Sequence, residues 1–143
     1  MFLLPNNPKY TKIFVGKKRF VYKRNNILKP VFGNFCLIAA NSGIITNFQL
    51  ETLRRFLKKN LKKKSQQKIR VFPSLPITKK PNEIRLGRGK GNVAYWAYYL
   101  KKGSVIIELR GLNYKTAKNV LNIAKLKLSL RTYIFDINHR WIF

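Results

Sequence analysis

Residues 85–100 read RLGRGKGNVAYWAYYL, which combines a basic glycine-rich segment with an apolar one. Its first half alternates glycine with basic residues, and its second half is a run of apolar and aromatic side chains. Runs rich in valine and aromatic residues are typical of β-strands. We expect a basic loop at 85–92 that leads into a strand at 93–100. Lys101, Lys102 and Gly103 then predict a hairpin turn into a second strand at 104–110.

Two helices are predicted on either side of this stretch. Thr46 and Gln49 have the spacing of a capping box, and a stripe of leucines follows at helical spacing: Leu50, Leu53, Leu57 and Leu61. Asn113 is the expected N-cap of the second helix, whose apolar face comprises Ala117, Val120, Leu121, Ala124 and Leu128. Prolines at 73, 76 and 81 predict an irregular, stiff connector, because proline fixes its φ and disfavours helix in the preceding residue. Short strands are expected at 32–40, 68–72 and 131–135.

Together these elements predict an α+β fold: a largely antiparallel sheet with two packed helices, an extended basic N-terminal arm and a short C-terminal tail. The expected boundaries are 1–31 for the arm, 32–135 for the globular domain and 136–143 for the tail. The arm is either a solvated, disordered tail or a segment that orders on RNA. Its interspersed aromatic residues favour the second alternative.

The charge of the chain points to a polyanionic partner. Lys and Arg number 31 against 4 acidic residues, which gives a formal net charge of +27. Such a charge opposes compaction, whereas a nucleic-acid backbone would neutralise it with release of counterions. A membrane-spanning helix needs about 20 consecutive apolar residues, and the longest uncharged apolar stretch, residues 93–100, is far shorter. We therefore predict a nucleic-acid partner and no membrane insertion.

The residues needed for catalysis or metal binding are scarce. Glu51 is expected to interact with the helix dipole in a first turn, and Glu108 to pair with a neighbouring cation. The single histidine, His139, and the single cysteine, Cys36, form neither an ordinary zinc site nor a recognisable nucleophile–base motif. Cys36 is expected to be a small apolar residue of a strand at 35–39. We predict no enzymatic activity, no cofactor and no metal.

The glycine-rich loop fits no nucleotide-binding template. A P-loop requires four residues between its glycines and Ser or Thr after the lysine, and the dinucleotide fingerprint requires a helix after the loop. Alternating glycines nevertheless let a backbone approach a partner closely, so Arg85, Arg88 and Lys90 are expected to reach phosphates. The alternative is a flexible surface loop. Four aromatic residues follow, which either stack on unpaired bases or, for about half of them, pack in the core: Tyr95, Trp96, Tyr98 and Tyr99.

Residues 70–73 (RVFP), 76–81 (PITKKP) and 85–96 (RLGRGKGNVAYW) resemble the bacterial-type large-subunit ribosomal protein sixteen family. The likeness extends upstream to residues 32–33 and the helix start at Thr46, and downstream over 111–132. The resemblance implies a structural protein that binds large-subunit rRNA near the aminoacyl (A) site and the central protuberance. It also implies that the glycine loop approaches A-site tRNA near the peptidyl-transferase centre. By position, Arg85 matches an arginine that is hydroxylated in some bacterial members.

The pattern departs from the family in two places. Residues 20–29 lack the family's glycine-rich pattern, and the tail 135–143 continues beyond the usual bacterial ending, where it is expected to bind a neighbouring protein or a specialised RNA element. The first nine residues resemble neither a signal nor a transit peptide. With the frequent Lys, Asn, Ile, Phe and Tyr, this predicts an organelle-encoded protein of a mitochondrial ribosome. Bacterial-type cytoplasm and plastid are the alternatives.

The predicted partners are large-subunit rRNA, A-site tRNA and neighbouring ribosomal proteins. An architectural DNA-binding protein is the rival hypothesis, since it would explain the charge equally well. The predicted RNA-binding residues are Lys12, Lys17, Lys18, Arg19, Lys23, Arg24, Arg54, Arg55, Lys58, Lys62, Arg70, Lys80 and Arg85. The predicted tRNA-proximal loop comprises Gly87, Arg88, Gly89, Lys90, Gly91 and Asn92.

Overall fold

The computed structural model describes residues 3–14, 30–61, 65–85, 87, 89–137 and 140–142, the last three by their backbone alone. Its elements, in chain order, are β1 (Phe35–Ala39), β2 (Gly43–Thr46), α1 (Asn47–Asn60), β3 (Gln66–Ile69), β4 (Leu75–Lys79), β5 (Asn92–Leu100), β6 (Val105–Arg110), α2 (Tyr114–Lys125), β7 (Thr132–Asp136) and β8 (Arg140–Ile142). The predicted α+β fold is confirmed.

The strands form two antiparallel sheets rather than one. The larger sheet has the order β3-β6-β1-β7-β8 and the smaller one the order β2-β5-β4. Because β8 pairs with β7, part of the predicted tail extends the larger sheet. The division of the chain into arm, domain and tail itself stays a prediction.

The predicted capping box at the start of α1 is confirmed. The Thr46 hydroxyl accepts from the Gln49 amide at 3.3 Å, and the Gln49 side chain accepts from the Thr46 amide at 3.1 Å. This reciprocal pair satisfies two amide donors that the helix itself leaves unbonded. The leucine stripe then faces the core, where Leu50, Leu53 and Leu57 are fully buried.

The start of α2 differs from the prediction in one respect. Asn113 is the N-cap residue, but its side chain makes no capping hydrogen bond. The helix is instead secured by its apolar face. Ala117, Leu121 and Ala124 are fully buried, and the remaining predicted members of this face are partly buried against the same core.

The predicted hairpin between residues 93–100 and 104–110 is wrong. β5 pairs with β2 and β4, whereas β6 pairs with β1 and β3. The turn at 101–103 therefore carries the chain from one sheet to the other, and the Gly103 amide donates to the Ala39 carbonyl at 2.8 Å. The reason is burial: the first five residues of β6 are all buried, which requires the interior of the larger sheet rather than a two-stranded ribbon.

The predicted irregular connector is also wrong in part, because Leu75–Lys79 forms the strand β4. β4 lies at an edge of the smaller sheet and pairs only with β5 there. Proline lacks an amide donor, so a sheet tolerates it on an edge strand. Pro76, opposite Trp96, occupies such a position.

Cys36 lies in β1 as predicted and is fully buried. It is in register with Glu108 of β6 and Phe135 of β7. Burial, and then the nearby carboxylates of Glu108 and Asp136, raise the pKa of this thiol to about 12. The thiol therefore remains protonated and acts as a small core residue.

Glu108 joins the end of the arm to the larger sheet. Its fully buried side chain accepts through Oε2 from the amides of three consecutive residues: Val31 at 3.2 Å, Phe32 at 2.6 Å and Gly33 at 3.2 Å. Its Oε1 lies 3.5 Å from Nε of Arg70, so the expected pairing with a neighbouring cation is confirmed. Gly33 must be glycine, because a Cβ there would lie 2.3 Å from the Leu109 carbonyl oxygen.

We predict that Glu108→Gln lowers the free energy of unfolding by about 3 kcal/mol, since it removes the charge from a buried carboxylate that accepts from three backbone amides and pairs with Arg70. Urea unfolding of the full chain measures this. Glu83→Gln, at an exposed carboxylate, is the matched control and should leave stability unchanged. Equal stability of the two variants would contradict the anchoring role of Glu108.

Candidate nucleic-acid interface

A buried carboxylate arranges the arginines of α1. Glu51 lies beyond the first turn of the helix, so the expected interaction with the helix dipole there is wrong. Its carboxylate accepts from Arg54 Nε at 2.9 Å and Nη2 at 2.8 Å, and from Arg55 Nε at 3.0 Å. The spacing of three and four residues places all three side chains on neighbouring turns.

The electrostatics of this cluster keep Glu51 charged. Hydrogen bonds from Arg54 first, then from Arg55, lower the pKa of Glu51 from its ordinary 4.5 to about 2, although burial opposes the shift. The same contact raises the pKa of Arg54. The Arg55 side chain remains 62% exposed, and Lys58 and Lys59 extend the cationic surface along the last turn. Glu51 thus holds two guanidinium groups in a fixed orientation.

The loop after β4 owes its shape to glycine for two different reasons. Gly87 and Gly89 have φ of 98° and 77°, a left-handed conformation that side-chain-bearing residues rarely adopt, and a Cβ at either one would meet nothing within 4 Å. Gly91 is crowded instead, because its Cβ would lie 2.6 Å from the Lys79 carbonyl oxygen. Gly91 is therefore required for packing within the chain, while the other two glycines shape an open loop, and the expected close approach to a nucleic-acid partner stays a prediction.

The arm and the loop are held together by what we call the arm–loop clasp, formed by residues 12–14 and Lys90. Lys12 Nζ donates to the Lys90 carbonyl at 3.2 Å, and Lys90 Nζ donates to the Ile13 carbonyl. Lys90 Nζ also lies 5.7 Å from the centre of the Phe14 ring, within the range of a cation–π interaction. Within the loop, Lys80 Nζ donates to the Gly87 carbonyl. Lys80 and Lys90 therefore stabilise the loop's own conformation.

The structure brings the predicted site residues into separate groups. Lys12 and Lys80 lie at the loop, where Arg85 is exposed. Arg70 lies apart from it, beside Glu108. α1 carries Arg54, Arg55 and Lys58. The predicted residues Lys17, Lys18, Arg19, Lys23, Arg24, Lys62 and Arg88 lie outside the described residues, as does His139. RNA binding by any of these residues stays a prediction.

Sequence reasoning missed two contributors to this interface. Glu51 could have been found from its spacing to Arg54 and Arg55, whereas the cation–π contact of Lys90 with the Phe14 ring has no sequence signal. The four aromatic residues of β5 are all partly buried, and Tyr98 packs against the core. Among the described residues, no three potential metal ligands cluster. Neither helix in that part of the chain has the length and apolar character needed to cross a membrane.

The fold and this interface define a class: a small basic α+β protein that presents fixed cations and an open glycine loop. Residues 5–135 match the family model described as ribosomal protein L16p/L10e, and the chain belongs to this family. Curated relatives named large ribosomal subunit protein uL16 include those of Coxiella burnetii strain CbuK_Q154, 42% identical over 129 residues (90% of this chain, 93% of the relative), and Thioalkalivibrio sulfidiphilus strain HL-EbGR7, 37% identical over 130 residues (91% and 93%).

Family membership confirms the resemblance found in the sequence. It makes the chain a structural constituent of the large ribosomal subunit and not an enzyme.

We predict that Glu51 makes the free energy of unfolding decrease at acidic pH. Because its pKa is lowered on folding, its stabilising contribution is complete above about pH 4.5 and is lost as the pH falls toward about 2. Urea unfolding across this window should show Glu51→Gln losing less stability than the wild type. Glu83→Gln should retain the wild-type slope, and an unchanged slope in Glu51→Gln would contradict the assignment.

Proposed function

We propose that the protein binds large-subunit rRNA through its cationic surface and that its 85–92 loop helps to position A-site tRNA near the peptidyl-transferase centre. The observation that carries the proposal is the placement of the acidic side chains. Three of the four (Glu51, Glu108 and Asp136) are buried, so few acidic groups lie at the surface among the 31 lysines and arginines.

The rRNA part of the proposal rests on geometry as well as charge. Lysine and arginine contacts to phosphates position a protein on RNA without reading its sequence. Arginine suits this role because its planar group can bind phosphate with two parallel hydrogen bonds. Glu51 holds Arg54 and Arg55 before any RNA arrives, which lowers the entropy lost on binding.

The tRNA part rests on the loop. On the side where a Cβ would lie, Gly87 and Gly89 have no neighbour within 4 Å, so a nucleic-acid backbone can approach the loop there. The arm–loop clasp and Lys80 hold the same loop from its inner side. A loop that is accessible at its tip and braced at its base can support a tRNA in a defined position.

UV crosslinking of the native protein, followed by sequencing of the attached nucleic acid, tests this proposal. Crosslinks concentrated on large-subunit rRNA around the A site, with some on tRNA, are expected. The rival hypothesis, an architectural DNA-binding protein, predicts that DNA is crosslinked to the protein instead. Crosslinks spread over unrelated transcripts would contradict both the rRNA and the tRNA parts.

We predict that Arg88→Ala combined with Lys90→Ala leaves subunit assembly largely intact, because the core and both helices are untouched, but weakens A-site tRNA binding about tenfold. A single charge-assisted hydrogen bond to phosphate contributes about 1.5–3 kcal/mol, enough for this effect. Filter binding of tRNA to the A site of purified ribosomes measures it. Unchanged affinity would contradict the role of the loop.

Two control variants show why tRNA binding is lost, if it is lost. Lys101→Ala combined with Lys102→Ala removes the same charge from an exposed turn and should leave tRNA binding unchanged. Phe14→Ala loosens the arm–loop clasp without removing a charge. A loss of binding in Phe14→Ala shows that the clasp matters, and a loss confined to variants of Arg88 shows direct contact.

We further propose that this ribosome is mitochondrial and that the gene is organelle-encoded. The support is compositional: 10 phenylalanines, 7 tyrosines and many lysines, asparagines and isoleucines suit an A+T-rich coding sequence. Pulse labelling with inhibitors selective for cytosolic or organellar translation tests this. Synthesis that continues when cytosolic translation is blocked supports the proposal, and synthesis that stops contradicts it.

A further inference from the structure

Helix α2 carries a row of lysines that the predicted interface does not include. Lys115, Lys118 and Lys125 are spaced by three and seven residues, which places them along one edge of the helix. Asn122 lies in the same row, and the sequence of α2 contains no acidic residue. We call these four residues the α2 lysine edge.

The lysines of this edge lack the partners that normally stabilise an exposed charged helix. In the described part of the chain, the ion pairs of Glu51 with Arg54 and Arg55, and of Glu108 with Arg70, do not involve these lysines. Acidic residues one turn away would stabilise the lysines of a solvated helix. α2 has no such residue, and no described carboxylate lies within ion-pair distance of the three Nζ atoms.

Their placement is unfavourable for the isolated protein. Lys115 is the second residue of α2, where the positive end of the helix dipole disfavours a cation. Partial burial, and then the charge of Lys118, lower the pKa of Lys125. Lys118 Nζ lies 5.8 Å from the centre of the Tyr114 ring, which orients it but does not neutralise it. An anionic partner would offset the repulsion between Lys118 and Lys125 and the unfavourable position of Lys115.

We propose that the α2 lysine edge is a second rRNA-binding surface, distinct from α1 and the 85–92 loop, which contacts the sugar–phosphate backbone. The inference rests on the function proposed above. The edge lies on the helix next to α1: α2 packs against α1 as well as against β1 and β7. Tyr114, at the start of the edge, contacts Phe35 of β1 with ring centroids 6.5 Å apart.

Charge complementarity selects RNA as the occupant. Three lysines and one asparagine offer only cationic and amide groups, which suit phosphate and ribose oxygens. Lysine binds phosphate as a point charge on a flexible chain, so a row of lysines can follow a backbone without reading base sequence. An acidic ribosomal protein is the competing occupant, and its binding is an outcome of the test.

The test compares Lys118→Gln/Lys125→Gln with the charge-matched Lys101→Gln/Lys102→Gln, both in the full chain. Binding to deproteinised large-subunit rRNA is measured over a range of salt concentrations. The α2 variant should bind at least tenfold more weakly, and the slope of log affinity against log salt should fall by about two, one for each lost phosphate contact. The control should change far less, and equal effects of the two variants would overturn the proposal.

Four further outcomes are decisive. Lys118→Arg/Lys125→Arg keeps the charge and should restore binding, which separates lost contacts from misfolding. Wild-type rRNA affinity in the α2 glutamine variant, with loss of a neighbouring ribosomal protein from assembled subunits, would overturn the inference in favour of a protein contact. If the α2 variant binds normally while Arg54→Ala/Arg55→Ala does not, the inference fails and the proposed function stands. If the wild type itself does not prefer large-subunit rRNA over unrelated RNA, the proposed function fails.

Discussion

Thirty-one cationic side chains share the molecule with four acidic ones, and the fold depends on the burial of Glu51 and Glu108. Glu108 is buried and collects three backbone amides together with Arg70, which fixes the chain where the arm enters the domain. Glu51 is buried and orients two arginines. Acidic groups used inside the fold leave the exterior unneutralised. Under the proposed function, bound RNA would relieve the self-repulsion that follows and would so contribute to the stability of the protein.

The two sheets support different parts of the cationic surface. The larger sheet buries apolar residues and Glu108, and the two helices pack against the core that it lines. The smaller sheet positions the loop, because β4 and β5 pair along their length and leave residues 80–91 as their connection. Gly91 lies against the Lys79 carbonyl, and Lys80 holds the Gly87 carbonyl. The loop is therefore an extension of a paired ribbon, with its base set by the sheet.

Local chemistry explains which features the sequence predicted. The capping box, the leucine stripe and the buried Cys36 depend on residues close in sequence or on side-chain type, and all three appear as expected. Strand pairing depends on partners far away, so the turn at 101–103 predicted a hairpin where the chain changes sheets. Pro76 suggested an irregular segment because its local effect is to break structure, yet an edge strand has room for it. The resemblance to the family was carried largely by the 85–92 loop. Local rules predicted a basic glycine loop there, but not its position in the fold.

The basic residues of the loop divide by chemistry. A lysine ammonium is a compact donor that suits single carbonyl oxygens, and Lys12, Lys80 and Lys90 each donate to a backbone carbonyl of the arm or the loop. An arginine presents a planar fork that matches phosphate, and Arg85 is exposed at the start of the loop. A lysine that holds a carbonyl gives up part of its capacity for phosphate. Binding of nucleic acid at the loop is therefore expected to depend on the lysines for shape and on the arginines for contact.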